Sequence, residues 1–321
     1  MRAFVLEAID SPAAFREIAA PTPGPDEVLI DVAACGLNFA DLLMQRGKYQ
    51  ERPALPMTMG MEFAGTITAI GDKVTDLRPG MRVAAFTGQG GLAQQAVCAA
   101  QRCVPLPDAM PFTEAAGFLV AYGTSHLVLD HRAHLAPGET LLVLGAAGGV
   151  GLTAVEIGKA MGARVIAVAR GADKLAIAKA KGADICLDSD GLDLRSELKA
   201  LGGVDVVYDA IGEPLATPAL RALRPEGRFL AIGFAGGEVP QFPANILLVK
   251  NLTVIGLYWG GYLTFAPDKL TGSLATLLNW YGEGKIVPHQ SHILPFAQTA
   301  EGLELLRSRK STGKVVIDLL A

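Results

Sequence analysis

Thr140-Leu-Leu-Val-Leu-Gly145-Ala146-Ala147-Gly148-Gly149-Val150-Gly151 is the stretch whose reading decides the fold. An apolar run stops at a cluster of small residues. Beyond it, Leu152-Thr-Ala-Val-Glu-Ile-Gly-Lys-Ala-Met-Gly162 carries apolar residues at helical spacing. Small residues at a strand-to-helix turn let the backbone approach a pyrophosphate closely. The free N–H groups of the helix's first turn, with their partial positive charge, then hold it. Glycine also serves ordinary tight turns, so the flanking strand and helix make this stretch a dinucleotide site.

The next segment, Arg164-Val-Ile-Ala-Val168, reads as a strand parallel to the first after one crossover helix. A carboxylate for the ribose 2′-hydroxyl of NAD belongs at its end, about 20 residues past the glycines. Ala169 stands there instead, followed by Arg170 and, one turn into the next segment, Lys174. The sequence places no acid at that strand end to repel a 2′-phosphate and two cations to bind one, so the expected cofactor is NADPH (NADP+). Such cations are otherwise ordinary solvated surface residues; the missing acid and the two charges together carry the reading.

From about 120 to 257 strands and helices alternate, with strand ends near Gly145, Val168, Asp188, Asp209, Gly233 and Gly256. That alternation predicts an α/β fold with a doubly wound parallel sheet. Before it, Val28–Ala34, Phe63–Ile70 and Arg82–Phe86 are short strand-like runs separated by Pro and Gly, the pattern of an irregular antiparallel β lobe. After it come a helix around 269–281, a strand near 286–293, a helix around 296–307 and a last strand from Lys314.

A chain of 321 residues suits two domains with a core each. Its net charge of −4 gives no reason to expect nucleic acid or an anionic membrane as partner. Residues 251–267 fall short of the ~20 apolar residues of a membrane helix. Met1–Asp10 carries charges where a signal peptide needs an apolar run, and a cytoplasmic location is the expectation. Cys35, Cys98, Cys103 and Cys186 are scattered without paired spacing and read as reduced thiols. Cys98 and Cys103 have neither a second pair nor a neighbouring histidine to complete a zinc site.

Four segments carry a family resemblance: Ala146-Ala-Gly-Gly-Val-Gly151, Cys35-Gly-Leu-Asn-Phe-Ala-Asp41, Gly60-Met-Glu-Phe-Ala-Gly65 and Val204-Asp-Val-Val-Tyr-Asp-Ala-Ile-Gly212. Together they resemble the zinc-free medium-chain dehydrogenase/reductases, the NADPH:quinone oxidoreductase (zeta-crystallin-like) group. The resemblance implies a GroES-like antiparallel β lobe plus an inserted Rossmann doubly wound parallel sheet. The corresponding domains are 1–118 for the first part of the catalytic lobe, 119–257 for the cofactor domain and 258–321 for the completion of the lobe.

Departures from the zinc enzymes of the superfamily are as informative. Asn38 stands where they place a ligand cysteine and Met61 where they place a ligand histidine. An amide and a thioether make a poor Zn²⁺ site beside thiolate and imidazole. The cysteine-rich loop that holds a structural zinc is missing, and the five histidines lie outside both matched segments. No metal is expected. Reduction of a simple carbonyl gains greatly from a Lewis acid, whereas a quinone or enone delocalises the arriving charge itself. A zinc-independent, NADPH-dependent reduction of a quinone or other conjugated carbonyl is therefore the expected activity.

By the resemblance, Tyr49 matches a tyrosine that related 2-enoyl thioester reductases use to protonate or orient substrate, and Asn38 shapes the same pocket. Thr124 matches a threonine that contacts the nicotinamide carboxamide. Gly233, Phe234, Tyr258 and Trp259 complete the nicotinamide end, and a homodimer through the apolar strand Leu252–Leu257 is implied. Two readings stand beside this one: an enoyl-CoA or acyl-thioester reductase, with Arg46, Lys48 and Arg52 meeting phosphates, and a non-catalytic, crystallin-like NADPH binder. Tyr281-Gly-Glu-Gly-Lys285 has the catalytic spacing of the short-chain dehydrogenases. Two glycines there each weaken a helix by about 1 kcal/mol, so the segment reads as a helix end.

Overall fold

A computed structural model describes residues 1–321 and divides them into two compact units, Met1–Val120 with Pro288–Ala321, and Ala121–Val287.

The first unit is built on the strand Glu27–Leu37. Along one edge it pairs antiparallel with Glu62–Ile70. Its other edge is shared, with Gln95–Ala99 along Glu27–Asp31 and Lys314–Asp318 along Ala34–Leu37. Register shifts in the pairing with Glu62–Ile70 bend the strand. Arg82–Phe86 and Cys103–Pro105 extend the sheet on one side, and Gln290–Pro295 lies parallel to Lys314–Asp318 on the other. The helix Thr299–Arg307 provides the crossover between those two last strands. A smaller sheet joins Ala14–Glu17, Arg2–Leu6 and Met57–Thr58. Gly36 has no alternative: a Cβ there would lie 2.2 Å from the carbonyl oxygen of Ala116.

The second unit carries six parallel strands in the order Ile185–Asp188, Arg164–Ala169, Thr140–Leu144, Val204–Asp209, Leu223–Ala231 and Thr253–Gly256. Its central strand, Thr-Leu-Leu-Val-Leu, is buried along its whole length, as a parallel strand covered on both faces must be. Leu142, Leu144, Ile166, Val168, Val207 and Phe229 fill one core with Leu194, Leu198 and Leu220 of the covering helices. Glu156, buried on the helix Gly149–Ala160, ties down both ends of the unit's chain. It accepts from the Tyr122 hydroxyl at 2.5 Å, from Val287 N at 2.8 Å and from Lys181 Nζ at 3.2 Å.

The compact units divide after Val120 and again at Pro288, so residues 258–287 group with the second unit. The reason is the helix Pro267–Gly282. It buries Leu270, Leu274 and Leu277 and packs on the π-helical stretch Leu127–Arg132 of the second unit. His126 Nδ1 meets Ser273 Oγ at 2.8 Å, and its ring meets Trp280 edge-on at 5.3 Å. The strand expected near 286–293 runs from Gln290 to Pro295. The helix stops at Gly282, so Tyr281 and Lys285 do not share a helical face.

Candidate active site and cofactor turn

At the end of the strand Thr140–Leu144 the chain turns through Gly145, whose φ is +75°. The helix Gly149–Ala160 starts from an extended Gly148. The glycines of the turn do different things. A Cβ on Gly151 would lie 2.1 Å from the carbonyl oxygen of Gly145, so its bareness serves helix-on-strand packing. A Cβ on Gly148 would meet only that same oxygen, at 3.4 Å, and the residue is exposed, while Gly149 and Val150 are half-buried. Ala146 and Ala147 are buried behind them. The first-turn N–H groups of this helix are thus left without side-chain cover, which is what an anion needs.

The neighbouring strand ends at Ala169, followed by the exposed Arg170 and by Gly171, which starts the helix bearing the half-buried Lys174. Sequence reading missed one group here. Ala169 pairs in register with Asp188, the last residue of the next strand. The Asp188 carboxylate accepts from the N–H of Asp190 and of Gly171, each at 3.1 Å. Those bonds, with Arg170 adding its charge, hold its carboxyl below the usual range. An acid does stand near Arg170, contributed by the next strand; the terminal Asp of Ile-Cys-Leu-Asp was its only signal. Past Asp188 lies a cavity of about 510 Å³ lined by Ser189, Leu192, Arg195, Leu215, Thr217 and Arg221.

Asp209, at the end of the strand Val204–Asp209, was also missed. Its Oδ1 accepts from Ile211 N at 2.8 Å and Gly212 N at 2.9 Å, fixing the turn that follows. Its Oδ2 is buried without a protein partner, and burial pushes the carboxyl pKa up. Gly233 donates its N–H to Asp209 O, and Phe234 Cδ1 would lie 3.5 Å from a Cβ on Gly212. Phe234 and Tyr258 are partly exposed, at 41% and 36%. Trp259 is buried and seats its indole on the helix Leu119–His126, where a Cβ on Gly123 would lie 2.6 Å from Nε1. Thr124, the next residue, is buried. Trp259 thus packs against the residue before Thr124, while Gly233 bonds to Asp209 and Phe234 lies near Gly212.

In the first unit, Asn38, Asp41, Glu62 and Lys314 form one buried polar cluster. Lys314 Nζ donates to Glu62 Oε1 and to Asn38 Oδ1, both at 2.8 Å. An ammonium has only donors, so the atom facing it on Asn38 is the amide oxygen. The Asn38 amide nitrogen then donates to Glu62 Oε1 at 3.0 Å and to Gly36 O at 3.3 Å. Glu62 Oε2 accepts from Val120 N at 3.0 Å, in the first turn of the helix Leu119–His126. Both amide protons of Asn38 are thereby spent inside the protein.

Asp41 is wholly buried, with Oδ2 accepting from Asn38 N at 2.8 Å and Oδ1 unpartnered. Burial pushes its pKa up to about 7 against the Asn38 N–H and the Lys314 charge. Tyr49 is half-buried, and burial, with the charges of Glu51 and Asp41, pushes its phenol up to about 12.

The zinc that related enzymes hold does not fit this cluster. Met61 is buried, the Asn38 amide is taken up by Lys314 and Glu62, and no group of three His, Cys, Asp or Glu side chains has the arrangement to hold a metal. A lysine ammonium supplies the cation among these carboxylates.

Comparison with known proteins matches residues 24–108 to the alcohol dehydrogenase GroES-like domain and residues 149–277 to the family described as zinc-binding dehydrogenase. Quinone oxidoreductase-like protein 2 of Mus musculus is 36% identical, over 99% of this chain and 92% of its own. The quinone oxidoreductase of Thermus thermophilus, solved alone and with NADPH, superposes with a TM-score of 0.88 at 34% identity, covering 99% of this chain and 100% of that one. The Escherichia coli quinone oxidoreductase complexed with NADPH gives a TM-score of 0.89 at 27% identity, with 99% of both chains covered. With a bare glycine turn in one unit and an amide and a thioether at the zinc-ligand positions of the other, the chain belongs to the zinc-free quinone oxidoreductase-like medium-chain dehydrogenase/reductases.

Proposed function

We propose that this chain is a cytoplasmic NADPH-dependent reductase that acts on quinones or other conjugated carbonyl acceptors without a metal. The observation that carries the reading is the pairing of the uncovered helix end at Gly148–Val150 with a donor set that does not suit zinc. Bound NADPH supplies the hydride. Gly148, Gly149, Val150 and Gly151, backed by Ala146 and Ala147, hold the pyrophosphate. Arg170 and Lys174 meet the 2′-phosphate, and the cavity past Asp188 has room for the adenosine end. Thr124, Gly233, Phe234, Tyr258 and Trp259 line the nicotinamide end.

Tyr49 donates its hydrogen bond to the acceptor oxygen on which negative charge collects. A phenol pushed up to about 12 keeps its proton at neutral pH. Asn38 shapes the pocket through its place in the buried cluster. With both amide protons used, it fixes the wall of the pocket and donates nothing to substrate. A conjugated acceptor suits such a site, because it spreads the arriving charge without a Lewis acid.

The strand Thr253–Gly256 pairs on one side only, and Leu248 and Val249 beside it are 76% and 75% exposed. This open edge supports homodimerisation by strand pairing. One observation favours a second acceptor class: Arg46, Lys48 and Arg52 are all exposed around Tyr49, as a phosphate-bearing acyl thioester would require. Oxidation of NADPH, with NADH as control, against 1,4-benzoquinone, 9,10-phenanthrenequinone, an enone and crotonyl-CoA tests the reading. The quinones are expected to turn over with NADPH preferred. Crotonyl-CoA as best acceptor would install the thioester reductase, and silence despite tight NADPH binding would leave a non-catalytic binder.

A further inference from the structure

Three hydroxyls meet beneath the glycine turn. Ser125 Oγ lies 2.9 Å from Tyr208 Oη, 2.8 Å from Thr153 Oγ1 and 2.9 Å from the carbonyl oxygen of Val150. Thr153 Oγ1 lies 2.9 Å from the same Val150 carbonyl and 3.0 Å from that of Ala121. All three side chains are buried: Ser125 and Tyr208 are 0% exposed and Thr153 is 6% exposed. Their hydrogens have few destinations. The two backbone carbonyls only accept, and Ser125 is the one hydrogen-bond partner of Tyr208, so Tyr208 donates to Ser125. Ser125 and Thr153 then pass their hydrogens on toward Val150 and Ala121.

The position of this cluster matters more than its existence. Ser125 follows Thr124 on one helix, Val150 belongs to the glycine turn, and Tyr208 sits on the strand beside Thr140–Leu144. The hydroxyls therefore bind the residue proposed for the nicotinamide to the turn proposed for the pyrophosphate, and both to the sheet. Buried and mutually satisfied, such a network specifies one arrangement, because any shift leaves a polar group unpaired in a dry interior.

We propose that Ser125, Thr153 and Tyr208 are positioning residues that fix the spacing between Thr124 and the glycine turn for a cofactor reaching both. The proposal rests on the reading of Gly148–Gly151 as the NADPH turn. A ligand that touches both ends feels their spacing, whereas a fragment that stops at the turn does not.

The test compares dissociation constants of NADPH and of adenosine 2′,5′-bisphosphate, which lacks the nicotinamide end, for the wild-type protein and for Ser125→Ala, Tyr208→Phe, Thr153→Val and Thr153→Ser. Folding of each variant is followed by thermal melting. Ser125→Ala and Tyr208→Phe are expected to weaken NADPH by roughly five- to tenfold, the scale of one lost buried hydrogen bond, and to leave the bisphosphate within about twofold. Thr153→Val should follow them, and Thr153→Ser, which keeps the hydroxyl, should bind NADPH like wild type. Equal weakening of both ligands, or no weakening in folded variants, would overturn the positioning role. A wild-type protein that binds neither ligand would instead overturn the cofactor reading beneath it.

Discussion

The ammonium of Lys314 lies 2.8 Å from Glu62 Oε1, across 252 residues of sequence, with exposures of 9% and 1% for the two side chains. The pair places one internal cation among the carboxylates of the buried cluster. Removing one partner strands the other in a dry interior, which typically costs about 3–5 kcal/mol. Lys314→Met is accordingly expected to lower the melting temperature sharply. The double variant Lys314→Met/Glu62→Gln should recover most of it, since it removes both charges together. Melting curves of wild type, the two single variants and the double variant check this, and additive losses would contradict the pairing.

Asp41 makes a pH prediction. Its folded pKa of about 7 lies above its ordinary value of 3.8. Between those values the folded chain holds a proton that the unfolded chain has released, so stability falls as pH rises through that window and levels off above it. The loss reaches up to about 4 kcal/mol, at about 1.4 kcal/mol per unit. Cys35, Glu62, Lys314 and Tyr49 are the titratable groups acting on it or acted on by it. Urea unfolding at pH 5 and pH 8 should show the fall in wild type, and Asp41→Asn should flatten it.

The cofactor end carries two substitutions of opposite sign. Arg170→Ala should weaken NADPH about tenfold, the usual scale for one charge-assisted bond, and leave NADH unchanged. Asp188→Asn removes a negative charge close to Arg170 and should tighten NADPH by a few-fold. Titration of both nucleotides against both variants measures the two effects. Equal changes for NADPH and NADH would remove these residues from 2′-phosphate recognition.

Tyr49→Phe deletes the one donor proposed to face the developing charge. Loss of a single such donor costs roughly 10²–10³ in turnover at dedicated oxyanion sites, and the delocalised charge of a quinone places the expected loss at the low end, about tenfold to a hundredfold in kcat/KM. NADPH affinity should not change. Steady-state kinetics with a quinone and an enone check this, and unaltered turnover for both acceptors would end the chemical role of Tyr49.

Much of the second unit could be read from the chain. Thr140–Leu144, Arg164–Ala169 and Val204–Asp209 are runs of strand length rich in β-branched and other apolar residues, and the small residues from Gly145 to Gly151 mark where the backbone must come close. What could not be read depends on groups distant in sequence. Nothing local to Lys314 shows that it ends beside Glu62 and Asn38, and the fully used amide of Asn38 follows only from that meeting. Asp188 reaches Arg170 through strand register, which no spacing rule reveals. The apolar stripe of Pro267–Gly282 announces a buried helix face without naming its partner, which the structure places in the second unit.

The measurement that tests the account most directly is NADPH-dependent reduction of 9,10-phenanthrenequinone by protein dialysed against a strong chelator, with metal content determined on the same sample. Full turnover at negligible metal content, with NADPH preferred over NADH, is the predicted result. Loss of activity on chelation and its return with Zn²⁺ would contradict the account at its centre.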